Sequence, residues 1–197
     1  MAEMIGTHTS MDIPYRDNCS DIMNVLKRGN VNWFNHFTDE RNIDSIRRSG
    51  GLFSWQYCID NNIHIACPGG DPSSQKYDLC YCNQDNIHLS FCNIHPMTRR
   101  LINKGYNLVL LKISTDVALF NDTQFSNMNA VDHLHQQGFG LEYLLKVNFL
   151  VTKLPGKNCF GMDQKYHQAE VLVRRFIPAK YILNLNNPDS ISVNYFN

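Results

Sequence analysis

The stretch His167-Gln-Ala-Glu170-Val-Leu-Val173 constrains the fold most tightly. An acidic residue opens a run of aliphatic, mostly β-branched side chains with the composition of a buried strand. An unpaired charge in an apolar layer loses its hydration, which is costly. A carboxylate in this place therefore either faces solvent at a strand edge or sits at the rim of a cleft that supplies partners. Taken alone, the segment allows both readings. A second apolar run, Asn107-Leu-Val-Leu-Leu-Lys-Ile-Ser114, is the clearest buried strand in the chain.

At 197 residues the chain has the size of one domain, expected over 31–197, with 1–30 as an N-terminal extension that carries a short helix. The formal net charge is zero, so nucleic-acid contacts must come from local clusters rather than a basic surface. Three arginine pairs offer such clusters: Arg47–Arg48, Arg99–Arg100 and Arg174–Arg175. Any single pair reads first as a solvated face. The seven cysteines include no C-x-x-C pair, so free thiols are expected. The cysteines between Cys58 and Cys92 lie near His64 and His88, but their irregular spacing argues against a structural metal, and none is expected. No apolar run reaches membrane-spanning length and the first residues lack a leader pattern, so a cytoplasmic location is expected.

Along the chain, Ser20 to Arg28 reads as a helix stopped by Gly29. Val31 to Thr38 reads as a strand, after which Asp39 caps a helix over 40–49 that ends at Gly50–Gly51. Residues 54–86, rich in Asn, Asp, Gln, Pro and Gly, read as an irregular substrate or lid loop, or as an ordered excursion with no role. Asn86 to Asn93 is a strand, and Pro96 opens a helix through Ile102. Residues 127–137 look helical, Glu142 to Lys146 forms another helical turn, and Lys153 to Lys165 is a loop. Residues 180–184 and 191–196 are expected as closing strands. Strands outnumber strong helices and do not alternate with them regularly. The expected class is therefore α+β with a largely antiparallel core.

Three segments, in this order, carry a family resemblance: His36-Phe-Thr38-Asp-Glu-Arg-Asn42-Ile-Asp-Ser-Ile46 with Gly50-Gly51-Leu52; Ile87-His-Leu-Ser90-Phe-Cys-Asn-Ile-His95-Pro96-Met97; and Gln168-Ala169-Glu170. Together they resemble the DarT family of ADP-ribosyltransferase toxins, which use NAD to modify bases in single-stranded DNA. The resemblance implies an ADP-ribosyltransferase-type fold: two small, mainly antiparallel sheets around an NAD cleft, with peripheral helices. It implies Glu170 as the catalytic residue, His36, Thr38, Asn42 and Met97 as NAD contacts, and NAD as co-substrate. It further implies single-stranded DNA as acceptor and a macrodomain-type hydrolase as antitoxin partner. From the residues alone, His36 also reads as a core histidine beside Trp33 and Phe34, Thr38 as a helix cap and Asn42 as a surface helix residue. Ser90 is a candidate for the cleft floor, though Leu89 or Phe91 could equally point there.

The chain departs from the family in one respect. Members that modify thymidine carry an arginine in the loop before the middle strand, whereas residues 49–98 here contain none and Lys76 is the only Lys or Arg of that stretch. Arg99 or Arg100 are the candidate substitutes, and the target base is left as guanine or thymine. An RNA or protein acceptor, or a binding module without turnover, are the alternative readings.

The chemistry accounts for the acid. Breaking the bond between nicotinamide and ribose develops positive charge on the sugar, as in glycoside hydrolysis. A fixed carboxylate nearby stabilises that charge and is placed to take a proton from the attacking base nitrogen.

Overall fold

The computed structural model describes residues 13–68 and 72–192, with the backbone alone for 72–75. Helix α1 (Cys19–Arg28) has Asp21 in its first turn and Lys27 and Arg28 in its last, matching the helix dipole at both ends, and buries Ile22, Val25 and Leu26. Strand β1 (Trp33–Asp39) ends on a buried carboxylate. Asp39 accepts the Arg41 N–H, which caps a 3-10 turn (Glu40–Asn42) that runs into helix α2 (Ile43–Arg48). Strand β2 (Gly51–Phe53) follows. Ser54 Oγ then accepts the Tyr57 N–H and so caps helix α3 (Trp55–Asp60). Helix α4 (Pro72–Cys80) leads to strand β3 (Asn86–Ser90). Helix α5 (Pro96–Asn103) begins on proline, with the His95 ring accepting the Met97 N–H. Strands β4 (Leu108–Ser114), β5 (Gln124–Ser126) and β6 (Gln137–Phe139) come next. Short helices α6 (Leu141–Leu144), α7 (Phe149–Thr152) and α8 (Met162–Tyr166) precede strand β7 (Glu170–Arg174). Strands β8 (Phe176–Pro178) and β9 (Asp189–Ser190) complete the set.

The main sheet runs β6-β5-β7-β3-β1-β4-β9, and β2 pairs with β8 in a separate two-stranded sheet. Every pairing is antiparallel. One face of the main sheet packs Phe34, Leu89, Phe91, Leu111, Ile113, Phe125 and Val171 into a core that α1 closes. The expected α+β class with an antiparallel core is the observed architecture. All seven cysteines are free. No helix among the described residues is long and apolar enough to cross a membrane.

Four segments differ from the sequence reading, each for a local reason. Residues 54–86 are not an irregular loop, because they hold α3 and α4. Ser54 and Pro72 supply the start signals, but α4 has no apolar stripe for periodicity to find. Residues 127–137 form turns and the start of β6 rather than a helix. There the side chains of Asn127, Asn129 and Asp132 accept the N–H groups of Gln136, Val131 and Leu134, which diverts them from a helical ladder. The 153–165 stretch contains a 3-10 turn (Gly156–Asn158) and most of α8. Residues 180–184 pair with the sheet through a single bridge, Ile182 to Ile113. Beyond it the Asn184 side chain replaces a ladder, accepting the Lys112 N–H and donating to the Leu110 carbonyl. The last closing strand is Asp189–Ser190, and positions 193–196 of the expected 191–196 strand lie outside the described residues.

Candidate active site

Sheet register builds the site. Asn35 lies opposite Ser90, Ser90 opposite Glu170, and Glu170 opposite Ser126. Directly paired residues share a face, so one line of polar side chains crosses the sheet with the carboxylate at its middle. β1 and β3 pair at Asn35–Ser90 alone. Past that pair their ladder stops, and a cavity of about 270 Å³ opens between residues 35–38 and 86–90, walled on one side by β2. The His36 ring spans the gap, its Nδ1 donating to the His88 carbonyl at 3.0 Å.

Glu170 is 7% exposed and faces this cavity. Its Oε2 accepts two hydrogen bonds, from the Ala130 N–H at 3.0 Å and from His88 Nδ1 at 3.2 Å. On the far side of His88, Nε2 lies 3.6 Å from Asp78 Oδ1 of α4. Burial alone would push the Glu170 carboxyl up. The charge and hydrogen bond of His88, the nearby His95 and the Ala130 N–H outweigh burial and hold the carboxyl below the usual carboxylate range. For His88, burial works against the charged ring, but the carboxylates of Glu170 and Asp78 overcome it and raise the ring's pKa. Burial drives the His36 and His95 pKa values down, which disfavours their charged rings.

All six residues expected from the sequence, His36, Thr38, Asn42, Ser90, Met97 and Glu170, line this cavity. Their side chains differ in what they have left to offer. The Asn42 amide is engaged at both ends. It donates to the Cys67 carbonyl at 2.7 Å and accepts the Cys67 N–H at 2.9 Å, and it also reaches Thr38 Oγ1 at 3.1 Å. Asn42 thus pins the 67 backbone to the end of β1. Asn42→Ala leaves both Cys67 backbone groups without partners and is expected to lower stability by about 2 kcal/mol, read by chemical denaturation. Ser90 Oγ is engaged by the Cys92 N–H and lies 2.9 Å from Cys92 Sγ.

Sequence reasoning missed His88, Asp78 and the Ala130 N–H. His88 could have been found, since it stands two residues before Ser90 and strand alternation puts both on the Glu170 face. Asp78 and Ala130 lie in segments whose structure the sequence hides. Arg99, Arg100 and Lys76 do not line the cavity, and among its described lining residues there is no arginine or lysine. Its ionisable side chains include the imidazoles of His36, His64, His88 and His95 and the carboxylates of Asp78 and Glu170.

Solved structures share this architecture. Thermus sp. 2.9 DarT in complex with ADP-ribosylated ssDNA matches with TM-score 0.66 and 16% identity over 78% of this chain and 79% of that one. Thermus sp. 2.9 DarT in complex with NAD+ matches with TM-score 0.61 and 15% identity over 77% and 79%. This is the DarT fold. Thermosipho africanus DarTG in complex with ADP-ribose matches with TM-score 0.61 and 16% identity, over 77% of this chain and 42% of that one. Neither a protein-family model nor a curated protein matches the chain. In this instance of the DarT fold, the split between β1 and β3 supplies the cavity and β7 brings the carboxylate to it.

Proposed function

We propose that this protein is an NAD-dependent mono-ADP-ribosyltransferase that modifies a nucleobase, guanine or thymine, in single-stranded DNA, with Glu170 as its catalytic residue. The observation that carries the reading is a buried carboxylate, fixed through one oxygen and facing a cavity whose lining includes unpartnered polar atoms. Gln84 Oε1 and His95 Nε2 are buried without hydrogen-bond partners, and both residues line the cavity. Buried polar atoms are ordinarily satisfied, so a lining of this kind suits a polar ligand. NAD, with two riboses and two amide- or amine-bearing rings, offers the donors and acceptors such a lining lacks. The likeness in fold to DarT bound to NAD+ and to ADP-ribosylated ssDNA supports the same assignment.

Glu170 Oε1, the oxygen with no hydrogen bond among the described residues, meets the nicotinamide ribose. As the glycosidic bond breaks, its electron pair returns to nicotinamide, C1′ bonds to the base nitrogen, and that nitrogen's proton passes to Glu170. His36, Thr38 and Met97 hold NAD from β1 and the start of α5, while Asn42 and Ser90 shape the wall. The base stacks on exposed aromatics at the rim. Tyr77 and Tyr81 of α4 and its end are exposed, and Tyr81 packs edge-on against His135. Tyr57 is excluded from this role, because it is stacked on Phe53 at 4.9 Å and Phe53 on Phe176 at 4.4 Å. A toxin role, with a macrodomain-type hydrolase as antitoxin, completes the proposal.

Calorimetry with NAD, paired with chromatographic detection of nicotinamide, tests it. NAD binding with nicotinamide release that rises when single-stranded DNA is added is the expected result. Binding with no release over DNA, RNA and protein acceptors makes the chain a binding module instead.

A further inference from the structure

His88 and Asp78 have no place in the step above, yet they surround its reacting group. This inference rests on Glu170 being the carboxylate that meets NAD. We propose that His88 is the positioning residue for Glu170, and that Asp78 braces His88 from behind. The three side chains form a carboxylate–imidazole–carboxylate relay running from α4 through β3 to β7.

Three observations carry it. Glu170 Oε2 is committed twice, to Ala130 N–H and His88 Nδ1, so rotation of the carboxylate about its own axis costs both bonds, and Oε1 is the oxygen left without a hydrogen bond among the described residues. His88 Nε2 is buried with no hydrogen bond, 3.6 Å from Asp78 Oδ1. That separation is right for an ion pair with a protonated ring, whose charge the Asn83 backbone also favours. Asp78 lies on α4, beside the exposed Tyr77, so the relay ties the catalytic strand to the helix at the rim. Groups that orient a reacting side chain commonly govern its activity by 10- to 100-fold, as the partners behind metal-bound histidines do.

The charges around the relay are few. Glu170 faces His88 from β7 and Asp78 faces it from α4. His36 of β1 reaches the His88 carbonyl, His95 stands at the head of α5, and Cys92 follows β3. Burial disfavours the charged forms of His36 and His95, and it pushes the Cys92 thiol up to about 12. The pair of carboxylates is therefore balanced chiefly by the His88 ring. Removing that ring's charge raises the Glu170 pKa, and the active ionised form is then lost at a higher pH.

Two measurements on the full chain test the relay. In ¹⁵N NMR, His88 is expected to carry its neutral-state proton on Nδ1 and to titrate above the ordinary histidine value, with the titration falling in both Glu170→Gln and Asp78→Asn. A His88 titration unmoved in both variants overturns the proposal, whether or not the chain turns NAD over. The relay and the transferase reading can therefore fail separately. In kinetics, His88→Asn keeps a donor near the Nδ1 position but no charge. It is expected to lower kcat about tenfold, leave the KM for NAD within about twofold, and move the acid limb of the pH–rate profile upward. Asp78→Asn should lower kcat by less, with the KM for NAD again within about twofold. A His88→Asn variant with the parent's kcat and acid limb contradicts the proposal.

Discussion

Glu170→Gln is expected to lower the rate of ADP-ribose transfer by about 10²- to 10³-fold while the chain remains folded, because it removes the one fixed charge that faces the developing cation. Glutamine matches the size of glutamate, and its amide oxygen can still accept from the Ala130 N–H and His88 Nδ1. The variant therefore isolates charge from shape. A truncation to alanine would add a cavity and free the His88 ring, confusing the two. Initial rates with labelled NAD report the chemistry, and circular dichroism with thermal unfolding reports the fold. A glutamine variant that transfers at the parent's rate shows that this carboxylate is not the reacting one.

Gly51→Ala is expected to have the largest effect on stability, about 3 kcal/mol or more. Gly51 has φ +155°, and a Cβ built there would stand 2.2 Å from the Ile177 carbonyl oxygen and 2.8 Å from the Phe176 ring. The obstacle is partly backbone, the carbonyl of the strand that pairs with β2, so no rotamer change relieves it. The pair must separate, and with it the cavity wall formed by Gly51, Leu52 and Phe53. Neighbouring Gly50 is the control. Its φ is +80°, but nothing lies within 4 Å of its Cβ position, so Gly50→Ala costs only backbone strain, about 1 kcal/mol. Urea unfolding of the two variants separates clash from strain, and equal losses would refute the packing account of β2 and β8.

Much of this site is legible in the amino-acid sequence. The β-branched run after Glu170 and the apolar run 108–114 both form strands of the main sheet, and start and stop residues mark α1, α2 and α5. Those signals are local, either a hydrophobic face or an orphan N–H that needs a partner. What stays hidden depends on contacts distant in sequence. The Ala130 N–H reaches Glu170 across 40 residues, from a segment whose Asn and Asp side chains defeat its helical appearance. His88 acquires its meaning only when β3 pairs with β7 and α4 delivers Asp78 to the ring's other side. Asn42 shows the reverse. The family resemblance implies an NAD contact there, and Asn42 does line the cavity, but its amide is spent on the Cys67 backbone.

The charge of the cavity lining follows the same division. The cavity's described lining has no arginine or lysine, in keeping with the absence of arginine from residues 49–98. Imidazoles stand in that lining instead, and burial disfavours the charged form of two of them. Lys153, outside the cavity lining, is exposed on the segment that leads to β7.

The most direct test of the central claim is mass spectrometry of single-stranded oligonucleotides, each lacking one base, after incubation with the purified chain and NAD. The account predicts one ADP-ribose added per modified site, absent whenever one base, guanine or thymine, is missing from the oligonucleotide, and absent throughout with Glu170→Gln. Unmodified oligonucleotides alongside ADP-ribosylated RNA or protein, or adducts that persist in the Glu170→Gln variant, would contradict it.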